Sequence, residues 1–287
     1  LQKKLLVIGG GAAGLSAAIY AARANIQTTV LYRDGGALAK TEKIENYFGF
    51  PEPISGTELL RRGQAQASRL GAELIRTEVT GVAYTEEGFS IHSTTGAFPA
   101  NAVILSTGTA RLAPLLPEIM KWEGRGVSYC AICDAFFYRS QPVAVLGAGA
   151  YALEEAQTLL QTASSVTLLT NGEPPPKTIP SGLKVDARPL TALEGTDRIE
   201  KVLFQTGEPL AVNGVFIALG TANSNSIART LGIFTKDNNI LIDANGATNV
   251  PGIFAAGDCT GGLLQVAKAV QEGARAALQA AQFLRKL

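Results

Sequence analysis

Cysteine is scarce, with three in 287 residues, and histidine occurs once. So few thiols exclude a disulfide framework and make the reducing cytoplasm the expected compartment. There a cysteine pair more often serves redox or metal chemistry than structure. Long apolar runs are missing too, and nothing approaches the ~18 residues of a membrane span. The chain passes from Lys3-Lys4 straight into LLVIGGG, which reads as a strand rather than a signal peptide. A net charge of +1 provides no global field that would suit nucleic acid or an acidic membrane. Low-complexity tracts are also absent, the 31 glycines falling at strand ends and turns. A composition of 46% hydrophobic and 17% charged residues fits a chain with one large or two medium cores.

KLLVIGGGAAGLSAAIYAARANIQTTVLY predicts a buried strand, a glycine turn, an alanine-rich helix and a second strand. The pattern returns in PVAVLGAGAYALEEAQTLLQTASSVTLLT, from Pro142 to Thr170. Two such βαβ units imply an α/β fold with two dinucleotide-binding, Rossmann-like lobes. Glu73 to Ala100 reads as short strands with turns, and NAVILSTG as another buried strand. ARLAPLLPEI, with Pro114 and Pro117, reads as a linker. GIFAAGDCTGG, then an apolar helix from near Leu263, most simply returns to the first lobe. The expected layout is discontinuous: residues 1–112 and 237–287 form one domain, and residues 113–236 are inserted into it. The Pro114/Pro117 segment and the TKDNN stretch are the expected hinges.

Gly9, Gly11 and Gly14 form a G-x-G-x-x-G between strand and helix, the setting a dinucleotide fingerprint requires. Such glycines allow a tight turn and close approach to a pyrophosphate, which the helix N–H groups receive. The acid that would hold a ribose hydroxyl is displaced: Tyr32 and Arg33 occupy its point, and Asp34 is nearest. The last glycine turn favours FAD, because Gly257-Asp258 would deliver a carboxylate to a polyol such as ribitol. The following helix would aim its positive end at a reduced flavin. Asp258 could equally cap a helix or turn.

SYCAICDAFFYR holds Cys130 and Cys133, with Asp134 directly behind. As zinc ligands the pair would need two more soft ligands, and only Cys259 and His92 remain, without paired spacing, so no metal is expected. Unrelated core cysteines are a second reading. The redox reading fits better, since a CxxC at a helix start favours the thiolate that exchange needs. Asp134 would then shuttle protons, or else be a charge in a first helical turn.

GGGAAGLSAAIYAAR, KIENYFGFPEPISG, GRGVSYCAICDAFFYR, VAVLGAGAYALEEA and VPGIFAAGDC together resemble the low-molecular-weight thioredoxin reductases, in the same order and over nearly the whole chain. The resemblance implies an FAD domain interrupted by a smaller disulfide-bearing domain, in a cytoplasmic homodimer. Gly9, Gly11 and Gly14 would hold the pyrophosphate of FAD. Gly35, Gly36 and Asn46 would lie near the flavin, Asp258 would bind ribitol, and Gln265 with Val266 would meet the pyrimidine edge. Cys133 would face the flavin, Cys130 would be the outer nucleophile, and Asp134 the acid–base group. The partner would be thioredoxin-like or another protein dithiol.

The departures matter as much. Members using NADPH carry a basic HRR-type run after the second strand of the inserted domain. Here that place reads VTLLTNGEPPPK, with no arginine between Arg139 and Arg188. A 2′-phosphate would meet no bidentate counter-charge, so NADPH use is not expected. Gly147-x-Gly149 with Tyr151 is a partial second fingerprint. It reads either as packing alone or as a second nucleotide site, with Tyr151 stacking an adenine ring. Two branches resemble such a chain: ferredoxin-dependent flavin thioredoxin reductases, and diflavin-linked disulfide oxidoreductases with a second FAD. The remaining alternatives are an NAD(P)H-dependent thioredoxin reductase and a flavin-bound disulfide sensor without turnover. Scattered bases such as Arg61, Arg62, Lys121 and Arg125 could help dock an acidic ferredoxin, though ordinary surface charge explains them as well.

Overall fold

The computed structural model describes residues 3–108, 119–122, 124–129, 131–219, 224–236 and 239–287, with the backbone alone at 120, 121, 132, 133 and 224–226. In chain order the first segment carries β1 (Lys4–Ile8), α1 (Ala12–Arg23), β2 (Gln27–Tyr32) and α2 (Gly56–Arg69). It continues with β3 (Glu73–Arg76), β4 (Val79–Thr85), β5 (Gly88–Ser93), β6 (Gly96–Ala100) and β7 (Ala102–Leu105). The middle segment begins with β8 (Val127–Ser128), α3 (Ala131–Asp134), β9 (Pro142–Leu146), α4 (Ala150–Leu160) and β10 (Ser165–Leu169). It ends with β11 (Leu183–Asp186), β12 (Leu190–Gly195), β13 (Ile199–Phe204), β14 (Leu210–Ala211) and β15 (Gly214–Ile217). The last segment carries α5 (Ser224–Thr230), β16 (Thr235–Lys236), β17 (Asn239–Ile240), β18 (Ile253–Ala255) and α6 (Val266–Lys286).

The chain divides into two compact units, Leu1–Ala110 with Asn223–Leu287, and Arg111–Ala222. The outward crossing lies within two residues of the boundary expected from sequence, but the return falls at 222/223 instead of 236/237. The reason is physical. Residues just past α5 are tied into the first unit, where the Tyr84 hydroxyl donates to the Leu231 carbonyl at 2.7 Å. The TKDNN stretch is correspondingly not at the boundary. Thr235–Lys236 pairs antiparallel with Asn239–Ile240 inside the first unit. The expected Pro114/Pro117 hinge lies outside the described residues.

Each unit repeats one plan. The first has a parallel sheet ordered β18-β7-β1-β2-β3 and an antiparallel sheet β4-β5-β6. The second has a parallel sheet β11-β10-β9-β15-β8 and an antiparallel sheet β12-β13-β14. The central parallel strands LLVI, AVIL and VAVL are buried along their length, as strands covered on both faces must be. In the first unit α1 and α6 pack through small side chains, among them Ala13, Ala17, Ala276, Ala277 and Ala280. Small residues let the two backbones approach closely and bring the last helix against the first glycine turn. The second unit has its own core around Val127, Leu146, Leu169, Ile199, Val202 and Val215. Among the described residues no helix is long and apolar enough to cross a membrane.

Candidate functional site

The first glycine turn is built by close approach. Gly9 leaves β1 with φ +118, and its N–H donates to the Leu31 carbonyl at 2.8 Å. A Cβ on Gly9 would overlap the Ser106 carbonyl, and one on Gly14 would overlap the Gly9 carbonyl. Ser106, just past β7, donates its hydroxyl to the Ile8 carbonyl at 2.9 Å and clamps the turn. Gly11 differs. A Cβ there would meet nothing within 4 Å, and Gly11 begins α1 without a side-chain cap. The turn at Gly11 thus leaves open space beside the uncapped start of α1, which fits the pyrophosphate of a dinucleotide.

At the end of β2, Asp34 accepts the Gly36 N–H at 2.8 Å and the Arg33 Nε–H at 2.9 Å. Burial pushes this carboxyl up, but the Gly36 and Arg33 donors outweigh it and hold it below the usual range. Gly35 is packed, with a Cβ there 2.6 Å from Leu60, whereas Gly36 (φ +60) faces open space.

Asn46 and Gln265, 219 residues apart, meet: the Asn46 amide donates to Gln265 Oε1 at 2.9 Å. Gln265 is the residue before α6, which starts at Val266 rather than near Leu263. Residues 258–260 form a 3-10 turn led by Asp258, and a Cβ on Gly257 would meet Ala13, between Gly11 and Gly14. All of these residues belong to the first unit.

Two residues that hold this turn escaped the sequence reading. Glu272 accepts the Gly257 N–H at 2.9 Å and pairs with Lys268 at 2.9 Å. Lys268 also donates to the carbonyls of Gly257 and Gly261 at 2.8 and 2.7 Å. The available signal was a glutamate in the same helical stripe as the buried Ala269, Gly273 and Ala276. Cys259 beside them is buried, its thiol near the Ala256 and Leu105 carbonyls at 3.3 and 3.5 Å, and His92 is exposed on β5.

In the second unit Cys130 lies outside the described residues. Cys133 lies in α3, its side chain likewise not described. The Asp134 carboxylate accepts the Ser128 hydroxyl at 2.7 Å, which fixes one of its oxygens. Tyr151 is not available to stack an adenine. Its side chain is 3% exposed, and its hydroxyl donates to the Tyr129 carbonyl at 3.1 Å. One helical turn further, buried Glu155 accepts the Ala131 N–H at 2.6 Å. Burial pushes the Glu155 carboxyl up to about 7, against the Ala131 N–H and helped by the charge of Glu154. Gly147 (φ +155) mirrors Gly9, since a Cβ there would overlap the Ala218 carbonyl and sit 2.9 Å from Ala152. Gly149 begins α4 in extended conformation without a side-chain cap.

Past β10 the chain closes on itself. Thr170 donates its hydroxyl to the Glu173 carbonyl at 2.6 Å, and Asn171 accepts the Leu190 N–H at 2.7 Å. Arg188, the first arginine beyond, has its donors engaged. It reaches both Asp186 oxygens (Nε at 3.0 Å to one, a terminal nitrogen at 2.6 Å to the other) and the carbonyls of Thr206 and Glu208. Its guanidinium carbon also lies 3.9 Å from the Phe204 ring centre. In the first unit Arg61 and Arg62 both pair with Glu58, at 2.7 and 2.8 Å.

Residues 3–273 match the family model described as pyridine nucleotide-disulphide oxidoreductase. The thioredoxin reductase of Aquifex aeolicus is 36% identical over 301 residues, spanning 98% of this chain and 93% of that protein. Among solved structures, the atypical thioredoxin reductase TRi from Desulfovibrio vulgaris Hildenborough has a TM-score of 0.92 at 41% identity, over 99% of this chain and 98% of its own. A ferredoxin-flavin thioredoxin reductase from Clostridium acetobutylicum has a TM-score of 0.75 at 30% identity, over 99% of each chain.

Proposed function

Since the chain belongs to the pyridine nucleotide-disulphide oxidoreductases, within the thioredoxin reductase family, we propose that it exchanges electrons with a thioredoxin-like partner through Cys130 and Cys133, using a donor other than NADPH. The observation carrying the last point is the end of β10. The turn there is closed by Thr170 and Asn171, and Arg188 is committed to Asp186, so the first guanidinium past β10 is not left to clamp a 2′-phosphate. The ferredoxin-flavin relative makes an iron–sulfur protein the first candidate donor. A second FAD on the α4 turn is less favoured, because Tyr151 is buried against Tyr129.

FAD suits the first unit, with Gly9, Gly11 and Gly14 receiving its pyrophosphate and Asp258, Asn46 and Gln265 toward its other end. When bound it supplies the two-electron relay between donor and disulfide. Glu272 and Lys268 hold the Asp258 turn in place for it. In the second unit the Cys130 thiolate attacks a sulfur of the partner disulfide, forming a mixed disulfide and releasing the other partner sulfur. Cys133 then attacks Cys130, which re-forms the internal disulfide and releases the second partner sulfur. Asp134, fixed by Ser128, takes the proton from the attacking thiol and gives one to the departing thiolate.

Anaerobic spectrophotometry of the purified protein tests this reading. FAD is counted per chain, then NADPH is added, then a reduced ferredoxin. The expected result is one flavin that NADPH leaves oxidised and ferredoxin bleaches. Prompt bleaching by NADPH would return the chain to the ordinary NADPH enzymes, and two flavins per chain would favour the diflavin branch. Cys133→Ser should retain FAD and lose flavin–disulfide exchange and turnover, leaving Cys130 able to form only an unresolved mixed disulfide.

A further inference from the structure

Helix α4 follows a nucleotide-type glycine turn, yet two of its buried side chains are turned to another use. Tyr151 and Glu155 are one helical turn apart, 3% and 9% exposed. The Tyr151 hydroxyl donates to the Tyr129 carbonyl at 3.1 Å, and Glu155 accepts the Ala131 N–H at 2.6 Å. Tyr129 and Ala131 are the residues flanking Cys130 in the chain. Neither bond is needed to complete a helix or a sheet. Both are buried polar contacts that must be satisfied in place, so they restrict the chain at those two peptides.

We infer that Tyr151 and Glu155 are positioning residues for the cysteine turn, gripping the backbone on both sides of Cys130 and coupling the charge of Glu155 to the ionisation of the thiols. A carboxylate in a water-poor setting acts strongly on a nearby ionisation, and a second negative charge there opposes a thiolate. Burial and the Glu154 charge keep Glu155 protonated up to near neutral pH. The other groups around α4 are few. β9 and β10 carry no ionisable side chain, and β11 carries Lys184 and Asp186, the latter paired with Arg188. α3 carries Cys133 and Asp134, whose carboxylate is held by Ser128. Below neutral pH Glu155 is thus an uncharged acceptor for Ala131. Above it, the ionised group raises the cost of forming a thiolate.

This inference rests on Cys130 and Cys133 being the exchanging pair, and its test is chemical, needing no electron donor. The holoprotein is reduced with dithiothreitol, freed of reductant, and alkylated with iodoacetamide over about pH 5 to 9. Mass spectrometry follows each cysteine, with buried Cys259 as internal reference. In the wild type the rate should flatten as pH rises through the Glu155 titration. In Glu155→Gln, which keeps an acceptor for Ala131, that inflection should vanish and alkylation at neutral pH should rise about threefold. Tyr151→Phe keeps the buried ring and should retain the inflection at reduced amplitude. An inflection that persists in Glu155→Gln overturns the assignment, as does a Tyr151→Phe profile superimposable on the wild type. If Glu155→Gln does not fold, Tyr151→Phe decides alone. Should the reduced pair leave flavin absorbance unmoved, the proposed function fails, while these profiles still decide the role of the two side chains.

Discussion

The Asn46 amide and the Gln265 carbonyl meet at 2.9 Å, joining the loop after β2 to the start of α6 across 219 residues of chain. Both side chains are exposed, so the bond adds little to folding. If FAD binds as proposed, with Asn46 and Gln265 toward its flavin end, this bond would brace that end of the site. Asn46→Ala should leave the melting temperature within about a degree while weakening FAD retention two- to tenfold, the span of one neutral hydrogen bond. Fluorescence titration of apoprotein with FAD measures this. A double-mutant cycle with Gln265→Ala would give the coupling directly.

The three fingerprint glycines separate by what surrounds them. A Cβ on Gly14 would overlap the Gly9 carbonyl, so Gly14→Ala should cost about 1–3 kcal/mol through forced backbone shifts. Gly11→Ala meets only open space within 4 Å and should fold almost normally, yet lose FAD because its methyl enters the cofactor's place. Urea denaturation of the apoproteins, beside the FAD content of the purified forms, separates the two effects. Equal destabilisation by both would contradict the open-space reading.

Buried Glu272 and partly buried Lys268 form a pair, with side chains 11% and 15% exposed, wired to the backbone of the Gly257–Gly261 turn. Removing one partner strands the other in a poorly hydrated setting, which commonly costs ~3 kcal/mol or more. Glu272→Ala should therefore lower the urea midpoint sharply and release FAD. Lys268→Met should do less damage, because Glu272 keeps its Gly257 donor. Equilibrium denaturation of the two variants checks the order.

Glu155 should also leave a mark on stability. Burial raises its carboxyl from 4.5 to about 7 in the folded chain, so the folded state holds a proton that the unfolded state has released. The stability this contributes is full below 4.5 and is lost as pH rises through about 7. The change across that window is on the order of 3 kcal/mol. Relative to wild type, Glu155→Gln should accordingly look weaker at acidic pH and gain as the medium becomes alkaline. Thermal melts of both forms across this range would show the difference change with pH, and a constant difference would contradict the buried titration.

Local pattern alone was enough to reveal the two βαβ units and their glycine turns. These features follow from residue spacing and from steric limits at a few glycines, which act within one strand–turn–helix. The clampless end of β10 was legible for the same reason, since a missing arginine is a statement about composition. The return point of the inserted unit was not, because Tyr84 and Leu231 meet only when sheet and helix pack. Tyr151 shows the limit most sharply. Its position after a glycine turn suits an adenine, but its buried hydroxyl finds the Tyr129 carbonyl, a partner 22 residues upstream that no periodicity announces. Glu155 and Glu272 are alike in this respect. In sequence they are charges on amphipathic helices. Their partners, and for Glu155 its ionisation as well, are set by burial and by backbone N–H groups that only the packed chain brings within hydrogen-bond reach.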